Sequence, residues 1–308
     1  MLDPETFLVE LYVPVDEFCK EHLPPERRPG PAAALCRSEV ITLALFAQWA
    51  RFRSERDFWR YATAHLRPLF PTLPGRAQFN RQMRRHRDAI AAFALWLAER
   101  LGAPQASYEV LDSTAAPTRN AKRRGRGWLP GLADIGWSNR LGWYEGFHEL
   151  AVAAPSGAVT GFGFGPASSN DRALAEVLFA QRAAPAPRLP SAGQTATGVY
   201  VADSGFAGVA CEARWVADHQ AQVVAPPQEG SGRAWPPPKR RQLARLRQVI
   251  ETVFDHLLFA FRLERDRPHE LDGFQARLAA KVALHNFCLW LNRRLGQPDL
   301  AFAELLGW

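Results

Sequence analysis

Cysteine is scarce and never paired in this chain: its 308 residues include four (Cys19, Cys36, Cys211, Cys288), with no Cys-x-x-Cys among them. That excludes a disulfide framework and a thiolate zinc site, and the expectation is four reduced, buried thiols in a cytosolic protein. None of the eight histidines falls in His-x-x-x-His or His-Glu-x-x-His spacing, so zinc is unsupported. The longest apolar stretch, Val40 to Ala50, is interrupted by Thr42 and Gln48 and is far shorter than the ~20 residues a membrane helix needs. The acidic start Met1-Leu2-Asp3-Pro4-Glu5 does not read as a secretory leader. Gly161-Phe162-Gly163-Phe164-Gly165 lacks the Gly-Lys-Ser/Thr ending of a phosphate loop. There is no internal repeat.

Lysine is the other scarcity. Only four of the 38 Lys and Arg residues are Lys, and Arg forks match phosphate and guanine better than the Lys point charge does. A GC-rich coding sequence would also favour Arg, so placement decides. From Arg51 to Arg87 ten Arg face two acids, Glu55 and Asp57. From Arg119 to Arg126 come Arg119, Lys122, Arg123, Arg124 and Arg126 without an acid, and from Arg233 to Arg247 come Arg233, Lys239, Arg240, Arg241, Arg245 and Arg247, again without one. The formal charge of the whole is +7, so the remainder is net acidic. Clustering of this kind is the footprint of polyanion binding rather than of simple solubility.

A hydrophobic fraction of 47% can bury a large core, and the length suits about two domains of roughly 150 residues. Residues 1–104 read as helical. Ser38 is placed to cap a helix running to about Arg51, and a second helix spans Ser54 to about Leu66. Three prolines and a glycine between Arg67 and Gly75 break it. A third helix starts near Arg76, with Phe79, Met83 and Ile90 on one face and Arg81, Arg84, Arg85 and Asp88 on the other. Two short helices about a turn, the second basic, predict a helix-turn-helix-like DNA reader. An ordinary helical domain with a solvated Arg face is the alternative.

Residues 105–308 alternate strands and helices: strands over 108–112, 146–154, 158–165, 198–203 and 220–225, and helices over 171–180, 206–218, 240–262 and 273–295. That order predicts an α/β layer architecture. A loop rich in Pro, Ala and Gly covers 185–197.

Asp112 and Asp203 each end an apolar strand, where ligand-binding side chains gather, although a strand-ending Asp also starts ordinary turns. Glu251 sits in a helix whose apolar residues, among them Val249, Ile250, Val253 and Phe254, recur at helical spacing, and stands at the edge of the buried face. Arg247, one turn earlier, is placed to pair with it at i, i+4, a bond that needs no chemistry. Converged, the three acids offer hard oxygen ligands to Mg²⁺ or Mn²⁺, and a pair of such ions clamps the attacking and leaving oxygens of an in-line phosphoryl transfer. His148 and Asn170-Asp171 are accessory candidates for the same site, or ordinary turn and sheet-edge residues.

Taken together, Val110-Leu111-Asp112-Ser113-Thr114, Val201-Ala202-Asp203-Ser204-Gly205-Phe206 and Arg247-x-x-x-Glu251-Thr252-Val253-Phe254 resemble the DDE transposases of bacterial insertion sequences. The resemblance is to the compact kind with no insertion domain before the last acid. It is supported by the blocks Phe70 to Arg81, Trp143 to Leu150, Pro166 to Asp171 and Ala225-Pro226-Pro227, and covers about residues 35 to 295. It implies a ribonuclease H-like catalytic domain over 105–308, a mixed sheet flanked by helices, behind an all-helical DNA-binding domain over 1–104. It implies Asp112, Asp203 and Glu251 as catalytic ligands of two Mg²⁺ or Mn²⁺ ions, with Arg247 positioning DNA or the acids. The implied reaction is cleavage at the element's terminal inverted repeats and joining of the freed 3′-hydroxyl to target DNA. Arg76, Arg81, Arg84, Arg85, Lys122, Arg123, Arg124, Arg126, Lys239, Arg240, Arg241 and Arg247 are the expected DNA contacts. A homodimer is expected when two ends are synapsed, in the bacterial cytosol at the nucleoid. His148 stands where related enzymes often carry Lys, Leu258 where a Lys or Arg often follows the last acid, and Ser204 where Lys is frequent. The alternatives are an inactivated or domesticated DNA-binding descendant and a metal-dependent nuclease that cuts without joining.

Overall fold

The computed structural model describes residues 1–26, 33–120, 129–183, 198–267 and 269–307. Lys122, Arg123, Arg124 and Arg126 lie outside the described residues, as does the loop expected over 185–197.

Among the described residues five helices come first: α1 (Pro4–His22), α2 (Arg37–Phe46), α3 (Glu55–His65), α4 (Arg76–Arg85) and α5 (Arg87–Arg100). The Asp3 carboxylate caps α1 by accepting from the Glu5 and Thr6 amides at 3.0 Å, and Ser54 Oγ caps α3 through the Asp57 amide at 3.1 Å. Ser38 is not a cap. The helix starts at Arg37, because the Glu39 carboxylate reaches back to the Cys36 amide (2.7 Å) and closes that end. Ser38 is buried and donates to Asp16 (2.9 Å). Nor are all four thiols buried: Cys288 is, Cys19 and Cys211 are half-buried, and Cys36 is exposed. The basic third helix is two helices, since the buried His86 leaves helical geometry (φ −95°, ψ 12°) and Asp88 belongs to α5.

The strands are β1 (Glu109–Asn120), β2 (Asp134–Ser138), β3 (Gly142–Ala153), β4 (Val159–Pro166), β5 (Val199–Val201) and β6 (Gln222–Val224). They form one sheet in the order β2-β3-β1-β5-β6, with β4 following β2 along the same edge of β3. β3 pairs antiparallel with both β1 and β4, whereas β5 and β6 run parallel to β1. β1 does not end at Asp112; it continues to Asn120 against β3. Only its parallel pairing with β5 stops just before Asp112, at Val110 opposite Val201. β2 has no counterpart among the expected strands, because it buries one residue in five and presents no apolar run.

Helices α6 (Asp171–Ala183) and α7 (Val209–His219) cover one face, where Leu111, Leu150 and Val152 meet Ala175, Phe179 and Trp215. On the other face α8 (Pro237–Asp255) and α9 (Leu271–Arg294) join α1, α2 and α5 in a single apolar cluster. Phe7 of α1 packs edge-on to Phe287 of α9 at 5.4 Å. Asn286 of α9 donates to the carbonyls of Ala94 (2.8 Å) and Val159 (2.9 Å) and accepts from the Val159 amide (2.8 Å), so both ends of its amide are used. The fold is α/β, a mixed sheet flanked by helices behind a helical N-terminal region. α8 stops short of Arg262: one π-helical turn (His256–Ala260) follows Asp255, and Arg262 then takes a left-handed conformation (φ 59°). Among the described residues no helix is long and apolar enough to cross a membrane.

Candidate active site and basic surfaces

Asp112 and Asp203 are brought together by the parallel pairing of β1 with β5, at whose carboxyl end both lie. Alternation along a strand sends Asp112 to the α8 face and Ser113 to the α6 face. On the α8 side, Arg247 Nη2 donates to Asp112 Oδ2 at 2.7 Å. Asp112 Oδ1 accepts from the Ser113 amide (2.8 Å), and Asp203 Oδ1 from the Gly205 amide (2.8 Å). Burial pushes the Asp112 carboxyl up to about 6, against the pull of Arg247 and with a further push from the Asp203 charge. The rise is chiefly the desolvation of the Asp112 carboxylate, which one guanidinium only partly offsets.

On the α6 side, Ser113 Oγ donates to Asp171 Oδ1 (2.5 Å) and lies 2.9 Å from His148 Nε2, which is itself 3.3 Å from that carboxylate. His148 Nδ1 lies 2.7 Å from the Ser169 carbonyl. A carbonyl can only accept, so Nδ1 carries the proton of that bond. Gly205 lets the two carboxylates approach closely: a Cβ there would come within 2.5 Å of Asp171 Oδ2 and 3.0 Å of Asp203 Oδ1, so those side chains would have to shift. Asn170 is exposed and caps α6, its Oδ1 accepting from the Ala173 amide (2.8 Å). Its neighbour Asp171 is the one that enters the network. Ser113 and Arg172, whose Nε donates to the Gly205 carbonyl (3.2 Å), were not singled out by sequence; neither residue type carries a signal of its own at those positions.

Glu251 stands apart. It is exposed on α8, and its carboxylate has no hydrogen bond or ion pair among the described residues. The expected i, i+4 bond from Arg247 does not form, because Asp112, more deeply buried, takes the guanidinium. Arg247 Nε is buried without an acceptor among the described residues. Among those residues no group of three or more His, Cys, Asp or Glu side chains lies close enough to hold a metal ion. The carboxylates of Asp112 and Asp203 are hard oxygen donors short of positive charge and fit a divalent cation; a third ligand from Glu251 is not assembled with them.

Two cationic stretches lie on α8 and α4. Lys239, Arg240 and Arg241 are exposed at the start of α8, with Lys239 Nζ 3.8 Å from the Trp235 ring centre and no acid in the first turn. Cations at a helix N-terminus oppose its dipole, so the placement costs stability. On α4, Arg81 and Arg85 are exposed, whereas Arg84 pairs with Glu270 and Arg76 lies 3.7 Å from Glu55.

No match is found among curated proteins or among solved structures. A family model described as a transposase DDE domain matches residues 109–287, a span that contains Asp112, Asp203 and Glu251 and more than half of the chain. With the mixed ribonuclease H-like sheet and two acids at the end of its parallel strands, that match places the chain in the transposase DDE-domain family, the family of insertion-sequence transposases.

Proposed function

We propose that the chain is a DNA transposase that cleaves the ends of its element and joins them to target DNA, with Asp112, Asp203 and Glu251 as its catalytic acids. The observation that carries this reading is the under-compensated pair Asp112 and Asp203 at the end of β1 and β5, with Asp112 pushed up to about 6. Two neighbouring carboxylates, one of them desolvated, are poised for a cation rather than for packing. Asp112 and Asp203 would hold Mg²⁺ or Mn²⁺, with Glu251 completing a site for two ions once α8 presents it. When bound, the metal supplies a nucleophilic water at neutral pH and a charge clamp on the phosphate oxygens.

The chain's own side chains do the rest. Arg247 holds Asp112 in place and would also offer its guanidinium to a DNA phosphate at the site. The Ser113–His148–Asp171 network fixes the start of α6 against β1 and, through the close approach at Gly205, fixes Asp203. Arg76, Arg81, Arg84, Arg85, Lys239, Arg240 and Arg241 bind the DNA backbone, as do Lys122, Arg123, Arg124 and Arg126. Two copies act together in the bacterial cytosol, because two ends must be synapsed.

The test is cleavage and joining of a duplex carrying the element ends, with Mg²⁺ or Mn²⁺. Asp112→Ala, Asp203→Ala and Glu251→Ala each abolish both steps while leaving end binding intact. Cleavage surviving in all three variants overturns the assignment. The separation of Glu251 favours a second reading, a DNA-binding descendant without activity; binding of ends with no cleavage by the unmodified protein under either metal would select it.

A further inference from the structure

A cleft of about 800 Å³ lies away from the acids, between α3 and α4 on one side and the segment from Arg262 to Arg277 on the other. Nine arginines line it against three acids, Glu55, Asp266 and Glu270. Those acids are already engaged: Glu55 pairs with Arg277, Glu270 with Arg84, and Asp266 lies 3.1 Å from Lys281. Arg53, Arg56, Arg81 and Arg265 are exposed on the walls with no side-chain hydrogen bond or ion pair among the described residues. Arg262, 7% exposed, donates to the Ala47 carbonyl (3.2 Å), and its Nε has no acceptor among the described residues. Holding so many unpaired guanidiniums in a concave wall raises the local potential and calls for a polyanion.

The floor is aromatic. Phe58, Trp59, Phe79 and Met83 line the cleft. Trp59 is half-buried and rests on Phe79 in a stacked pair (centroids 4.9 Å, planes 29° apart). Trp59 also lines an adjoining hollow of about 420 Å³ with Arg56, Arg60 and Arg76. A preformed aromatic platform ringed by arginines suits a base and its phosphates. Duplex DNA, a convex rod whose bases already stack on one another, offers phosphates to such a cleft but no base face; an unpaired strand offers both.

We propose that this double cleft binds an unpaired stretch of DNA, one base lying against Trp59 and the adjoining phosphates held by Arg53, Arg56, Arg81 and Arg265. The inference rests on the reading of the chain as a protein that acts on DNA. It places a strand-binding site between the N-terminal helices and the catalytic half, separate from the acids.

Fluorescence anisotropy of the full chain without divalent metal, using labelled (dT)10 and a labelled duplex, tests it. Trp59→Ala should weaken (dT)10 binding roughly tenfold and duplex binding less than twofold, while Trp59→Phe, which keeps a stacking ring, retains most of the (dT)10 affinity. Arg53→Ala with Arg265→Ala should flatten the salt dependence for (dT)10 by a slope of about 1.4, roughly 0.7 for each phosphate that is no longer neutralised. Free thymidine monophosphate should fail to compete at concentrations where unlabelled (dT)10 displaces the probe. Equal loss on both DNAs, no loss on either, or competition by the mononucleotide as effective as by (dT)10 would each overturn the proposal. These readouts need no cleavage, so inactivity of the acids leaves them interpretable; failure of the unmodified chain to bind either DNA instead overturns the reading on which the proposal rests.

Discussion

Arg247 Nη2 lies 2.7 Å from Asp112 Oδ2, across 135 positions of sequence, and not against Glu251 one turn along its own helix. The guanidinium takes up one oxygen of that carboxylate, and the Ser113 amide donates to the other. On the proposed function, a divalent ion at Asp112 would compete with Arg247 for this carboxylate.

Replacing Arg247 should therefore strengthen metal binding while weakening catalysis. Arg247→Gln removes a like charge from beside the metal position, and Mn²⁺ affinity should rise roughly tenfold, equivalent to about 1.4 kcal/mol of relieved repulsion. Calorimetric or magnetic-resonance titration with Mn²⁺ measures it, with Asp112→Asn as the control that loses the site. Unchanged or weaker affinity in Arg247→Gln would show that the two cations do not compete.

A second consequence concerns Glu149, fully buried on β3 with neither carboxyl oxygen hydrogen-bonded among the described residues. Burial pushes it up to about 8, despite Lys281 nearby. In the unfolded chain it ionises near 4.5, so between these values the folded state holds a proton that the unfolded state has lost, and stability falls as pH rises. Below about 6.5 this is opposed by His256 and His285, whose burial holds them down at about 4 and about 3, so that the unfolded state binds their protons first. Between pH 6.5 and 7.5 Glu149 increasingly outweighs these two histidines, and with Lys281, held down at about 8, also opposing it, the net slope stays well below the ~1.4 kcal/mol per pH unit of one whole proton. Urea midpoints should fall over that window in the unmodified protein and rise slightly in Glu149→Gln, where the histidine contribution is left unopposed; equal slopes would remove Glu149 as the cause.

Two glycines make a matched pair. A Cβ at Gly205 meets Asp171 and Asp203 within 3.0 Å, whereas one at Gly163 meets nothing within 4 Å. Gly205→Ala should lower end cleavage at least tenfold and cost about 1–3 kcal/mol through overpacking. Gly163→Ala should leave cleavage unchanged and stability within about 0.5 kcal/mol. Thermal melting and cleavage rates measured together decide it, and a fully active Gly205→Ala would show that the close approach is dispensable.

How far the site could be read in the sequence follows from the range of each signal. Asp112 and Asp203 were legible because a short apolar run ending in an acid is a local pattern, and parallel pairing then brings two such ends together. The Arg247–Asp112 bond was not, since helical spacing points Arg247 at Glu251 and nothing local weighs a distant carboxylate against it. The π turn after Asp255 hides in the same way, because His256 to Ala260 continue an apolar helical pattern. The wall formed by Arg262, Arg265, Arg267 and Arg277 was invisible for another reason. Glu264, Asp266, Glu270 and Asp272 interleave with it in sequence, and only folding turns its cations toward α3 and α4.

The contact between Phe7 and Phe287, together with the amide of Asn286 bridging Ala94 and Val159, bears on how the chain could be divided. Excised at 109 and 287, the matched span would lose α1, α2 and α5 from the apolar face of α9 and leave Lys281 without Gln48, to whose side chain it donates at 2.6 Å. The transposase core of this chain is therefore not a cassette that can be lifted onto another end-reading module. Its N-terminal helices and its catalytic sheet must be inherited, and must drift, as one piece.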